Sequence, residues 1–263
     1  MRRYGGIRLR MARSVILFST PTSASESLYR SAIAIAAGRY RTERWMDRLF
    51  RDGRADEIAT TSPPTEDCLI LHRAPARFNH DTRLADYRFI LNARDPRDLI
   101  CNQYHWQFVH PSMDETPEET EARRRRVAEA GIDHFALAHD NGANFDGFLK
   151  VVRRIAPPDR IFIGYAMFCL HFDDAAARMA SFLGTSVDAL APKQREALEL
   201  ERVEKLAEND KWIGKSWAGT DTAPGRHKHE LKPETVRILT ERYAPILQFL
   251  RRFDDPRVAH TYD

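Results

Sequence analysis

The stretch Ser14–Tyr40, SVILFSTPTSASESLYRSAIAIAAGRY, decides the fold, because a strand, a tight turn and a helix are legible in it in immediate succession. Val15, Ile16, Leu17 and Phe18 form a short unbroken apolar run, as expected of a strand covered on both faces. Leu28, Ala32, Ile35 and Ala36 then recur at helical spacing, and Gly38 marks a stop. Between them, Ser19-Thr20-Pro21-Thr22-Ser23-Ala24-Ser25-Glu26-Ser27 is small and hydroxyl-rich. Backbone N–H groups at a helix start there can face an anion, with Ser and Thr hydroxyls as further donors. The turn contains neither Gly nor Lys, so it is not the GxxxxGK[ST] nucleotide loop, and a kinase of that class is disfavoured. A serine-rich N-cap turn with no ligand is the plain alternative.

The chain of 263 residues is long enough to bury a large core as one α/β domain. Its 41 basic and 38 acidic side chains leave a formal charge of only +3, which does not describe a nucleic-acid-binding surface. Cys68, Cys101 and Cys169 are odd in number, far apart and set in apolar segments, so they are expected to be reduced core residues. The arginine-rich start, MRRYGGIRLRMARS, superficially resembles a targeting signal, but its apolar run ends at Phe18, too short for an h-region or a membrane span. The expectation is a cytoplasmic protein with a basic N-terminal arm over residues 1–13 and one domain over 14–263. No metal site is expected, since the cysteines have no CxxC spacing and His105 and His110 are isolated, with His227 and His229 read as loop residues.

Further strands are expected at Cys68-Leu69-Ile70-Leu71, which delivers His72 at its carboxyl end, and at Arg88-Phe89-Ile90-Leu91-Asn92, followed by Arg94-Asp95-Pro96-Arg97-Asp98 and a helix. Ligands of open parallel sheets sit at the carboxyl ends of strands, where an imidazole can serve as general base and a guanidinium can bind phosphate. A hydrogen-bonded strand-end histidine and an arginine paired with Asp98 are the bland alternatives. A fourth strand, Arg160–Tyr165, precedes a helix ending near Gly184. The stretch Arg41–Thr61 reads as an amphipathic helix and loop, Glu115–Ile132 as a solvated helix, and Glu234–Phe253 as a final helix opened by Pro233. Strands alternating with helices predict an α/β fold, three layers α/β/α around a central parallel sheet.

The order of these pieces resembles the PAPS-dependent sulfotransferase family, whose motifs run PKSGTTW, THxP, RNPxDxxxS, YEDL and FLG; PAPS is 3′-phosphoadenosine 5′-phosphosulfate. RDPRDLICNQYHW, from Arg94, carries the strongest part of the likeness. The resemblance implies the P-loop nucleotide-hydrolase-like sulfotransferase fold and sulfuryl transfer from PAPS, leaving PAP, to a hydroxyl of a carbohydrate, lipid or small-metabolite acceptor, without a metal. It implies that Thr22, Ser23, Ala24, Ser25, Glu26 and Ser27 surround the phosphosulfate, that Arg94 and Asn102 hold the 3′-phosphate, that His72 is the catalytic base, and that Tyr165 lies against the adenine. Gly225-Arg226-His227-Lys228 resembles the G-x-W-K segment that ends the loop closing over the nucleotide. The acceptor would be chosen by segments 105–144 and 191–217.

The sequence also departs from that pattern. Thr22 stands where the family has the Lys or Arg of the phosphate loop, and Glu26 where it has Thr. Ala166 and Met167 follow Tyr165 in place of Glu and Asp, and Thr220-Asp221-Thr222 replaces a basic cluster, leaving Lys215 and Ser216 as its substitutes. Either Arg73, Arg30 or Lys215 supplies the missing cation, or the protein is a catalytically impaired nucleotide-binding member of the fold.

Overall fold

The computed structural model describes residues 13–109, 115–208 and 222–263. Five strands, β1 (Ser14–Ser19), β2 (Arg41–Glu43), β3 (Cys68–His72), β4 (Tyr87–Asn92) and β5 (Arg160–Phe162), form one parallel sheet in the order β2-β3-β1-β4-β5. β1 is central, and its neighbours β3 and β4 lie in register with it at Phe18↔His72 and Ser19↔Asn92. The carboxyl ends of all three strands therefore reach the same edge of the sheet, on neighbouring strands about 4.8 Å apart.

Alternation along the strands builds two cores. Ile16, Phe18, Cys68, Ile70, Phe89 and Leu91 face one side, where they meet α2 (Trp45–Arg51), α3 (Pro96–Val109), α5 (Gly142–Arg154) and α11 (Ala244–Phe253). Val15, Leu17, Leu69, Leu71 and Ile90 face the other, against α1 (Ser25–Ala36), α6 (Tyr165–Leu170), α7 (Phe172–Phe182) and α8 (Pro192–Glu199). This is the expected three-layer α/β/α architecture: residues apolar at every strand position are buried on both faces.

Several local expectations change. Arg41–Glu43, expected as the start of a helix, is a short edge strand, and α2 begins only at Trp45. Its charged, exposed residues carry no strand signature because only one side of an edge strand is paired. The solvated helix α4 (Pro117–Ala138) runs past Ile132 and bends at Gly131, whose φ of 78° is outside the helical range. The C-terminal helix is two, α10 (Pro233–Arg242) and α11, broken at Tyr243. Pro245 explains the break: without an N–H it cannot bond to the carbonyl four residues back, but it is tolerated in the first turn of a new helix. His227, expected on a loop, begins the single-turn helix α9 (His227–Glu230) and is fully buried.

The three cysteines are free, with Cys68 and Cys101 buried and Cys169 partly so. Residues 1–12 of the expected arm lie outside the described residues, as do Lys215 and Ser216. Arg13 is paired to Glu66 in an antiparallel bridge. No helix among the described residues is long and apolar enough to cross a membrane.

Candidate functional site

The turn after β1 is held open by its own hydroxyls. Ser19 Oγ donates to Asn92 Oδ1 at 2.6 Å, Asn92 Nδ2 donates to the Ile163 carbonyl, and Thr20 Oγ1 lies 2.7 Å from Ser23 Oγ. Two residues of the turn, Thr22 at φ 51° and Ala24 at φ 57°, adopt the left-handed conformation. Neither is Gly, and for a β-branched Thr that conformation is costly. Left-handed residues alternating with right-handed ones are the backbone pattern of anion-binding concavities. α1 follows directly with no side-chain cap, so its first N–H groups stay available at its positive end. Ser23 and Ser25 are buried, and the buried Thr22 Oγ1 has no hydrogen-bond partner among the described residues.

Glu26 does not face this concavity alone. Arg44 grips both its oxygens at 2.8 Å, and Arg73 adds a contact at 3.0 Å while reaching Asp47 at 2.9 Å. The carboxylate that would repel an anion is thus tied to two cations. Of the cations expected to replace the missing Lys, Arg73 is held in this network and Arg30 forms a two-bond pair with Glu201, at 2.6 and 2.8 Å.

Arg94 emerges from β4 on the opposite flank of the turn and is 3 % exposed. Its guanidinium lies 4.0 Å from the Tyr165 ring centroid, and Nη1 reaches the Thr22 carbonyl at 3.5 Å. Nε and Nη2 are buried with no partner among the described residues. The bland alternative of an Arg94–Asp98 pair does not form, because both carboxylates of this segment are engaged elsewhere. Asp95 binds Arg97, with the closest contact at 2.6 Å, and Asp98 binds the α9 segment. Tyr165 is fixed by its N–H to the Ala93 carbonyl at 2.9 Å and by its hydroxyl, which donates to the Thr222 carbonyl at 2.5 Å. Burial pushes its phenol well above the ordinary range.

One face of α3 carries Asp98, Cys101, Asn102 and His105, spaced at i, i+3, i+4 and i+7, and this face meets α9. Asp98 Oδ2 accepts from Gly225 N at 2.7 Å, and Oδ1 accepts from His227 N at 3.0 Å and His227 Nδ1 at 2.6 Å. Burial pushes the Asp98 carboxyl up, but the His227 donors and the Arg94 charge override it and hold it below its ordinary value. His105 Nε2 lies 3.0 Å from Glu230, whose other oxygen takes the Arg226 Nε at 2.7 Å. Arg226 is 1 % exposed, and its Nη1 has no hydrogen-bond partner among the described residues. Asn102 is buried on the same face.

His72 ends β3 on the other side of the turn. It is fully buried, with Phe78 at 5.1 Å, Phe18 at 5.4 Å and Trp45 at 6.0 Å between ring centroids. Both ring nitrogens lack a partner among the described residues, and burial pushes the imidazole down to about 3. Burial therefore favours the neutral ring, with one nitrogen carrying the hydrogen and the other as acceptor. Leaving these polar atoms unsatisfied costs on the order of 1–3 kcal/mol, which a bound hydroxyl would relieve.

The structure thus gathers the turn from Thr22 to Ser27, His72, Arg94, Asn102, Tyr165, Gly225 and Arg226 along one edge of the sheet. Sequence reasoning missed Asp98, His105, His227 and Glu230 as its supports. Among the described residues there is no cluster of three or more His, Cys, Asp or Glu arranged to hold a metal.

No protein-family model matches the sequence, and no curated protein matches it significantly. Solved structures do. The chain is similar to mouse sulfotransferase SULT7A1 complexed with PAP, with a TM-score of 0.57 at 15% identity over 88% of this chain and 84% of that one. It is also similar to retinol dehydratase in a complex with retinol and PAP, with a TM-score of 0.54 at 15% identity over 87% of this chain and 79% of that one. A second retinol dehydratase structure, with androsterone and PAP, gives 0.52 at 14% identity over 87% of this chain and 78% of that one. The chain has the fold of the sulfotransferases, in divergent form.

Proposed function

We propose that this protein is a sulfotransferase that moves a sulfuryl group from PAPS to a hydroxyl of a carbohydrate, lipid or other small-metabolite acceptor. The observation that carries this reading is Arg94, a buried guanidinium with unpaired Nε and Nη2 beside a strained, hydroxyl-rich turn at the carboxyl edge of the sheet. Buried donors left without a partner are costly, and an anion is what would complete them. That the solved structures of the same fold contain PAP gives the anion its chemical class. Residues 14–263 act as one unit in this reading.

The donor set fits such a nucleotide. Arg94 and Asn102 would hold the 3′-phosphate, the Thr22-to-Ser27 turn the phosphosulfate end, and Tyr165 the adenine, with Gly225 and Arg226 closing over it. PAPS supplies an activated sulfuryl group. His72 takes the proton of the acceptor hydroxyl at an unpaired ring nitrogen, and its aromatic surround excludes water and fixes its orientation. N–H groups of the turn would stabilise negative charge that develops near the bridging oxygen. Labelled sulfate from PAPS should reach an acceptor, His72→Ala should abolish the transfer, and Arg94→Ala should weaken the nucleotide step. Failure of both PAPS and PAP to bind in calorimetry overturns the reading.

One observation favours a second reading, a PAP-binding protein without turnover: Thr22 replaces the expected cation, and Arg73 and Arg30 are both committed to carboxylates. Binding of PAP with no transfer across a broad acceptor panel would select it. Robust transfer would end it.

A further inference from the structure

We infer that Tyr262 is a positioning residue for the nucleotide site: its carbonyl holds the segment that carries Arg94, and its hydroxyl, through Asp254, holds the segment that carries Tyr165. The inference rests on the nucleotide reading above and adds to it a residue that acts only through others.

Arg94 and Tyr165 form one stacked pair, 4.0 Å from guanidinium carbon to ring centroid, built by two segments far apart in sequence. Tyr262, itself buried, has a hold on each. On the Arg94 side, the buried Arg97 guanidinium stands three residues on, in the first turn of α3. Its Nη2 donates to the Tyr262 carbonyl at 2.8 Å and to Asp95 at 2.6 Å, and its Nη1 donates to Thr240 Oγ1 at 2.9 Å. Arg251 Nη2 donates to the same Tyr262 carbonyl at 2.7 Å, so that oxygen is fixed from both α3 and α11. On the Tyr165 side, the Tyr262 hydroxyl donates to Asp254 Oδ2, and the Asp254 carboxylate faces the Gly164 N–H. Gly164 directly precedes Tyr165 at the start of α6, and a Cβ there would overlap the carboxylate, so this approach requires glycine. Asp254 is set in turn by the Asp255 N–H, which donates to its Oδ1 at 2.9 Å.

Packing alone does not call for this arrangement. A buried carboxylate and a buried guanidinium add little stability over apolar side chains of the same size, but satisfied polar networks admit one geometry only. Here that geometry leads to the two side chains read as holding the 3′-phosphate and the adenine. Groups fixed before the ligand arrives bind it more tightly, because their ordering no longer opposes association. The coupling is reciprocal: a contact that favours the binding conformation is favoured by the ligand in the same proportion.

The test is calorimetric titration of the full chain with PAP, well below the melting temperature of each variant. Tyr262→Phe keeps the ring and the carbonyl and removes only the hydroxyl, whereas Asp254→Asn keeps the size and removes the charge. Each should weaken PAP about tenfold, and the double variant should weaken it no further, since both changes cut one path. A merely structural role would lower Tm and leave the affinity of the folded chain unchanged. In the wild type, which needs no substitution, PAP should slow amide hydrogen exchange over 254–262 about tenfold more than over α8, which carries no part of this path. Unchanged PAP affinity in the folded variants, additive losses in the double variant, or protection over 254–262 no greater than over α8 overturns the positioning role and leaves the nucleotide reading intact. No PAP binding by the wild type overturns both.

Discussion

Arg94 and His72 both hold buried nitrogen atoms with no partner among the described residues, and each gives a measurable sign. Arg94→Met keeps most of the volume over the Tyr165 ring but removes the unpartnered donors, so PAP affinity should drop about 10–100-fold. Intact affinity would mean that the guanidinium serves no anion. For His72 the folded imidazole stays neutral to about pH 3, whereas the unfolded chain takes its proton near 6.5. Between those values the unfolded state binds more protons, so His72 makes stability fall as pH falls, by at most about 1.4 kcal/mol per unit. Denaturant melts between pH 7 and 4 should show this slope, and His72→Phe should flatten it. At Ala24, φ 57° is strained for any side chain, and Ala24→Gly should stabilise the protein by about 0.5–1 kcal/mol in the same melts.

The helix α5 acts on the site through one small residue. A Cβ on Gly147 would lie 2.5 Å from the Pro75 carbonyl oxygen, in the turn that directly follows His72-Arg73-Ala74. The backbone on both sides is fixed, so Gly147→Ala should cost about 2–4 kcal/mol by chemical denaturation and displace the end of β3 along with His72. At this scale the limits of the sequence are also clearest. β1, β3 and β4 were legible because strands buried on both faces are apolar at every position, and Arg94 and His72 were legible because they follow such strands directly. The edge strand Arg41–Glu43 was not, since an exposed edge imposes no apolar pattern. The pairing of Asp98 with His227 spans 129 residues, a separation at which no local spacing rule operates. The i, i+4, i+7 repeat of Asp98, Asn102 and His105 was the available signal: polar residues on one helix face, where a buried face should be apolar.

At the scale of the molecule, two flanks that diverge in sequence meet at one edge: the turn and His72 from the first third of the chain, and Gly225, Arg226 and His227 from the last. A nucleotide bridging them should stabilise the whole fold by mass action, by about 2.7 kcal/mol at a hundredfold excess over Kd, and thermal melts with and without PAP read this directly. An unchanged Tm at saturating PAP would mean that the flanks are not joined by it. The strand order has a further consequence, for the birth of the protein. The central strand β1 precedes both strands it pairs with, which begin only at Cys68 and Tyr87, so Val15-Ile16-Leu17-Phe18 leaves the ribosome before either of them. Parallel pairing over such separations is slow. Until β3 and β4 have emerged, the apolar strand on which the fold is centred is exposed to aggregation, and chaperone dependence should map to it.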